Sequence, residues 1–569
     1  MTDGYQTLKT PYFDKMDESA PWQEYPRPQF KRDSYISLNG SWDFAVTKSD
    51  DAPKDFDKTI LLPFPPESLL SGLEMKISGG DRLYYRRRFT LPDGFIKKRV
   101  ILHVGAADQI CCVSVNGEQL FTHEGGYIPF SVDITKSLKA GENEVVFKVI
   151  DDMSKIFPLG KQSARRGGMW YTPVSGIWQS VWLESIPDEA ITGITITPSV
   201  TGAKITVTGG AKEKRLTLNG SGRVYEFSTE SVTVTPDEPI LWSPENPYLY
   251  EFTLESGEDR IESYFALREI DIRTVDGKRR ICLNGKPYLF HGLLDQGYYP
   301  DGIFLPATVD GYREDILTAK RLGFNTLRKH IKIEPLIFYY LCDKLGMVVF
   351  QDMVNNSTYS FFSDTALPTI GLKRRDDRRL HKNPMSREMF ERVMYETANL
   401  LYNSPSVLYY TIFNEGWGQF CADEMYEKLK AKDSSRIIDA TSGWFTEHKS
   451  DVDSRHVYFK EVKLGKTSDR PIVISEFGGY SYRAPGHLFG KKNYGYKLFK
   501  ERGELESALL TLYGEEIAPL IKEGVCALVY TQLTDVEDET NGLITYDRRL
   551  VKVDERKMSD LAEKLKAEI

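Results

Sequence analysis

From residue 273 onward the chain presents eight apolar strand signals in succession, several of them separated by helical stretches. This rhythm restricts the fold more than any other feature. The strand signals are PYLFHGLL (287–294), FNTLRKH (324–330), GMVVFQDM (346–353), SVLYYTIFNEG (406–416), RIIDATSG (436–443), RHVYFK (455–460), PIVISEFGG (471–479) and GVCALVYTQLTD (524–535). Near-continuous apolar strands are what a parallel sheet covered on both faces requires. Helical stretches lie between them at DGYREDILTAKRLG (310–323), EPLIFYYLCDKLG (334–346) and ADEMYEKLKAKD (422–433). The first two end on Gly323 and Gly346, residues suited to a left-handed C-cap. The pattern predicts a (β/α)8 TIM barrel over 273–569.

Upstream the signals are strands and turns. GSWDFAV (40–46), LYYRRRFTL (83–91), KRVILHVGA (98–106), QICCVSVNGEQL (109–120) and NEVVFKVID (143–151) alternate β-branched and aromatic residues, punctuated by Asn116-Gly117 and Gly125-Gly126. They predict an antiparallel β-sandwich over 1–185. From 186 to 272 the strands shorten and the turns come closer, as in AKITVTGG and KRLTLNGSG. This segment has the size of an immunoglobulin-like β-sandwich, with FALREIDIR (265–273) as its last strand.

Charge and cysteine usage remove several functional classes. The net charge is −8 and no basic stretch dominates, so a nucleic-acid partner is not expected. Arg86-Arg87-Arg88 and the mixed run 373–379 read as solvated or locally paired surface. The six cysteines show no metal-ligand spacing, and Cys112, Cys282, Cys342 and Cys526 lie in apolar runs, which predicts reduced core residues and no metal site. No window reaches ~18 consecutive apolar residues and MTDGYQTLKTPYF lacks a signal-peptide pattern, so no membrane span and a cytoplasmic location are expected.

Active sites of such barrels lie at the C-terminal ends of the strands. The polar residues there include Asp295, Arg328, His330, Asp352, Asn414, Glu415, Trp444, Tyr458 and Glu476. Glu415 ends the apolar run of strand 4, and Glu476 that of strand 7. A carboxylate closing a buried strand is costly to desolvate unless it is paired or used. Each glutamate alone fits a structural ion pair as well as a catalytic role. Together they project into one bowl, and two carboxyl groups about 5–5.5 Å apart are what a retaining glycosidase needs. Arg328 is placed to keep one of them ionised.

FNEGWG (413–418), ISEFGG (474–479), NTLRKHIKIEP (325–335), NGSWDF (39–44), YYRRRF (84–89) and GGMWYTPVSGIWQSVWLE (167–184) resemble glycoside hydrolase family 2, which holds β-galactosidases and β-glucuronidases. The resemblance covers nearly the whole chain. It implies a jelly-roll, galactose-binding-like sandwich, an immunoglobulin-like sandwich and a catalytic barrel, in that order. It implies Glu415 as acid/base, Glu476 as nucleophile and Asn414 on the sugar 2-hydroxyl. It places Arg328 and His330 beside sugar and nucleophile, Tyr458 on the nucleophile and Trp444 as a stacking candidate. Asp295 and Asp352 complete the expected substrate-binding set, no cofactor is implied, and the partner is a small carbohydrate or glycoconjugate. Dimers and tetramers are common in the family, but no stripe here marks an interface.

The departures bear on specificity. After strand 1, Leu294, Asp295, Gln296 and Gly297 stand where galactosidases carry magnesium ligands. The first-domain aspartate that grips galactose falls near Gly168. The Asn-x-Lys of β-glucuronidases has no counterpart in EDETNGLITYDRR (537–549), and KKNYGYK (491–497) reads as a surface loop. The leading expectation is a retaining exo-β-glycosidase of β-galactosidase type. A uronide hydrolase drawing on Arg328, Lys329 and the 373–379 loop is the alternative, and a non-catalytic carbohydrate binder the reading of another class.

Overall fold

A computed structural model describes residues 7–569 except 373–375, 459 and 466–467. The eight barrel strands are β1 Phe290–Asp295, β2 Thr326–Lys329, β3 Val348–Asp352, β4 Val407–Asn414, β5 Ile437–Ser442, β6 Asp453–Val457, β7 Ile472–Gly478 and β8 Val525–Thr531. They form one parallel sheet in the order β5-β4-β3-β2-β1-β8-β7-β6, so the TIM barrel is closed except for a seam between β5 and β6. No ladder crosses that seam. Side chains bridge it instead: Ser442 on β5 bonds His456 on β6 at 2.7 Å and Ser475 on β7 at 3.0 Å.

Seven of the eight strands are buried along their whole length, as a sheet packed on both faces demands. Outside them, helices Asp310–Arg321, Leu336–Leu345, Pro384–Leu401 and Ala422–Lys432 cover the sheet. Gly346 caps its helix at φ +74°, and Gly323 follows its helix at φ +87°. Among the described residues no helix lies between β5 and β7. No described helix is long and apolar enough to cross a membrane.

The N-terminal sandwich packs a four-stranded sheet on a six-stranded one, with all paired neighbours antiparallel. The hairpin at Asn116-Gly117 has φ +50° and +87°, the positive pair that a two-residue turn matched to strand twist requires. Cys111 points into this core and Cys112 away from it, because neighbouring strand residues face opposite ways; the apolar run alone suggested Cys112. All six cysteines are free. The next sandwich pairs a three-stranded with a four-stranded sheet and ends at Asp259–Phe265.

Ile270–Val275, expected as part of that sandwich's last strand, instead pairs with Lys278–Leu283 in a separate small sheet. The cause is packing. Ile281 and Leu283 plug the barrel floor against Phe290, Leu294, Val348 and Phe350. At the opposite end, the segment after Ile150 leaves the first sandwich and docks over the barrel mouth. The Leu159 and Gly160 amides donate to the Asn355 carbonyl at 3.0 and 3.2 Å, and the Thr172 amide donates to Glu537 at 2.8 Å. Gly160 has φ +65°, and a Cβ there would lie 2.6 Å from the Ile331 carbonyl, so the approach needs glycine.

Candidate active site

The strand ends converge on Arg328. Its side chain is 1% exposed and spans four strands. Nε donates to Asp352 at 3.0 Å, Nη1 to Glu476 at 3.0 Å and to the Ser475 carbonyl at 2.9 Å, and Nη2 to Asn414 Oδ1 at 2.9 Å. A planar fork is the group suited to hold several acceptors in fixed directions. Asp352 also meets His330 Nδ1 at 2.7 Å. Burial lowers His330 to about 4, so its ring is neutral at pH 7. Burial alone would raise Asp352, but Arg328 and His330 hold it below the usual carboxylate range.

Glu476 receives Arg328 on one oxygen and the Tyr458 hydroxyl, at 2.6 Å, on the other. Burial opposes its ionisation. The His456 ring, the Arg328 guanidinium and the Tyr458 hydrogen bond outweigh burial and hold it down at about 2. Burial and the Glu476 charge push the Tyr458 proton well above the ordinary phenol value, so Tyr458 stays a donor. Glu415 follows Asn414 in a left-handed conformation, φ +52°, tied by its amide to the Ser442 carbonyl at 3.0 Å. One carboxylate oxygen of Glu415, one of Glu476 and a ring nitrogen of His456 lie within 4.8 Å of one another.

His456 escaped the sequence reading because it looks like any interior strand residue. Its ring is fully buried, with Nδ1 2.8 Å from Glu415 Oε1 and Nε2 3.5 Å from Glu476 Oε1. Behind it runs a chain of hydroxyls. Ser442 bonds Nε2, Ser442 donates to Ser475, Ser475 meets Ser454 at 2.7 Å, and Ser454 bonds Asp439. Because Ser442 donates to Ser475, it is left to accept from Nε2–H, and Nδ1 faces Glu415. Gly443 makes the room: at φ +92°, a Cβ there would sit 2.8 Å from the ring.

Other expected residues are placed differently. Asp295 accepts from Lys329 at 2.6 Å in a buried cluster with Glu334, and among the described residues no hydrogen bond or ion pair joins it to Glu415 or Glu476. Trp444 donates its indole N–H to the Asp364 carbonyl and stands edge-on to His456. Arg328 and Lys329, considered as partners for an acidic sugar, are committed to protein carboxylates. Residues 373–375 of the basic loop lie outside the described residues. In KKNYGYK, Lys491, Lys492 and Lys497 are exposed, but Tyr496 stacks on Tyr458 with centroids 4.0 Å apart, so this loop also walls the bowl. Trp170 packs edge-on against Trp417 and Tyr359 on the opposite side. A sequence shows none of these approaches, since the partners lie up to hundreds of residues apart.

Family models of glycosyl hydrolases family 2 match the chain in three consecutive parts: the sugar binding domain at 75–187, the family's central domain at 190–268 and the TIM barrel domain at 274–563. A β-galactosidase of Thermoanaerobacter pseudethanolicus is 30% identical over 298 residues, 48% of this chain and 39% of that protein. Human β-glucuronidase is 24% identical, covering 73% of this chain and 69% of that protein. The chain thus spans about two fifths of the first relative and two thirds of the second. The solved structure of a β-glucuronidase from an uncultured Clostridium superposes with a TM-score of 0.75 at 17% identity, over 94% of this chain and 99% of that one. The order of the three matched parts, and a barrel match covering half the chain by itself, place this protein in glycosyl hydrolases family 2.

Proposed function

We propose that the chain is a retaining exo-β-glycosidase, with Glu476 as nucleophile and Glu415 as acid/base. The observation that carries this is the pair of carboxylates with oxygens within 4.8 Å of each other, of which, among the described residues, only Glu476 is held by a guanidinium. That spacing suits direct attack, and leaves no room for the water that an inverting pair must admit. Glu476, held at about 2, is ionised at any working pH and attacks the anomeric carbon. The bond to the aglycone oxygen breaks as Glu415 gives that oxygen its proton. Water then attacks the anomeric carbon, Glu415 takes the water proton, and Glu476 leaves as carboxylate. Asn414 has its Oδ1 occupied by Arg328, so its NH₂ is the group offered to the sugar 2-hydroxyl.

Exo action is supported by the walls of the bowl. The docked segment after Ile150 and the Tyr494–Tyr496 loop close it on two sides. The test is turnover of 4-nitrophenyl β-glycosides by the parent protein, Glu476→Gln and Glu415→Ala. Glu476→Gln is expected to lower kcat by at least ~10³, the scale seen when a nucleophile is removed. Glu415→Ala is expected to slow poor leaving groups far more than nitrophenol, which needs no protonation. A parent protein that binds sugars without turnover would end the enzymatic reading. Equal slowing of both leaving groups would end the acid/base assignment.

A further inference from the structure

The barrel mouth holds several buried cations, and nearly all of them meet a carboxylate. Lys329 meets Asp295 and Glu334 at 2.6 and 2.9 Å, Lys332 meets Glu334 at 2.9 Å, and Lys552 meets Asp535 at 2.6 Å. Lys161 differs. It is 8% exposed, yet among the described residues its ammonium has no carboxylate in salt-bridge reach and no hydrogen-bond acceptor. It stands over the Trp170 ring, 5.6 Å from Nζ to centroid. The stem is buried while the ammonium keeps access to solvent, so it is open to an incoming anion.

The position of Lys161 says where the anion belongs. The residue lies on the segment of the first sandwich that docks over the mouth, next to Gly160, which packs on Ile331 just past the end of β2. Its charge acts on His330 from one side and on Glu539 from the other. Glu539 in turn feels Glu476. Trp170 beneath the ammonium packs on Trp417, two residues beyond Glu415. Lys161 therefore overhangs the bowl between the ends of β2 and β8.

Resting on the glycosidase reading above, we infer that Lys161 is the cation that binds a carboxylate on the terminal sugar, so that the substrate is a β-linked uronic acid. The positive group then comes from the first sandwich, and not from the loop after β8, where Glu539 and Asn541 stand. A single ammonium with no carboxylate in salt-bridge reach balances one negative charge. A phosphate, carrying about −1.5 to −2 at pH 7, would stay under-compensated. Glu539 is already engaged by the Tyr171 hydroxyl and by Asn541 at 3.0 Å, which leaves Lys161 to the incoming anion.

The experiment compares the full chain with Lys161→Gln and Lys161→Arg. The substrates are 4-nitrophenyl β-glucuronide, β-galacturonide, β-galactoside, β-glucoside and 6-phospho-β-galactoside. Calorimetric binding of free glucuronate, galacturonate and galactose is measured in parallel. The parent is expected to favour one uronide. Lys161→Gln is expected to lower its uronide-to-neutral ratio of kcat/KM at least tenfold, and Lys161→Arg to recover part of it. Faster turnover of a neutral or 6-phospho sugar by the parent overturns the inference and leaves the glycosidase reading intact. An unchanged ratio in a folded Lys161→Gln also overturns it. If nothing is turned over, the glycosidase reading fails. The binding arm then decides the subsite: uronate binding lost in Lys161→Gln upholds it, and no uronate binding by the parent ends it.

Discussion

Replacing Arg328 by Met tests the electrostatic core of the site. Glu476 sits at about 2 against an ordinary 4.5, a depression worth about 3 kcal/mol at 1.36 kcal/mol per unit. Arg328 Nη1 lies 3.0 Å from Glu476. At an effective dielectric constant near 20, that pair is worth roughly 5 kcal/mol before burial is counted against it. Removing the guanidinium also leaves Asp352 as an uncompensated negative neighbour. Glu476 should therefore rise by roughly 2–4 units, into the range of about pH 4–6. Because kcat/KM for glycoside cleavage requires ionised Glu476, its acid limb reports this group. The parent profile is expected to show no such limb down to pH 4, and Arg328→Met to show one near pH 5. Arg328→Lys, which restores a charge, should move the limb back down. The same depression contributes stability that is present above about pH 4.5 and is lost as pH falls toward 2. A folded Arg328→Met whose profile, like the parent's, shows no acid limb down to pH 4 would refute the assignment of Arg328 as a group that keeps the nucleophile charged.

Three further outcomes are expected. His456→Ala removes the Nδ1 contact to Glu415, and a hydrogen bond to a charged group is worth about 1.5–3 kcal/mol, so kcat/KM should fall roughly 10–100-fold; a change under twofold would make the ring structural filler. Gly443→Ala forces a Cβ to within 2.8 Å of the same ring at a positive φ, so it should mimic His456→Ala in kinetics while leaving substrate with a similar KM; wild-type turnover would show that the ring has freedom to move. Strong chelators should not reduce turnover, because Glu476 is already held by Arg328 and Tyr458, and His456 by Ser442; loss on chelation with recovery on adding a divalent ion would establish a metal requirement.

The eight strands were legible because an apolar run buried on both faces leaves a periodic trace, and each observed strand overlaps its sequence signal. Glu415 and Glu476 were legible as carboxylates closing such runs. Tyr458 was legible two residues past His456, while His456 itself was not, since a histidine inside a strand carries no mark of what lies opposite. Lys161 and Glu539 were likewise silent, being separated by hundreds of residues and by a domain border.

By itself, the sequence determined which strands exist, their order and the two glutamates at their ends, because patterning and strand-end position are local properties of the chain. Tertiary structure alone decided that Arg328 serves four strands, that a serine-backed histidine stands between the two carboxylates, and that a lysine of the first sandwich hangs over the bowl with no carboxylate in reach among the described residues. Charge interactions inside a protein depend on separation and burial, and those exist only once distant segments have packed.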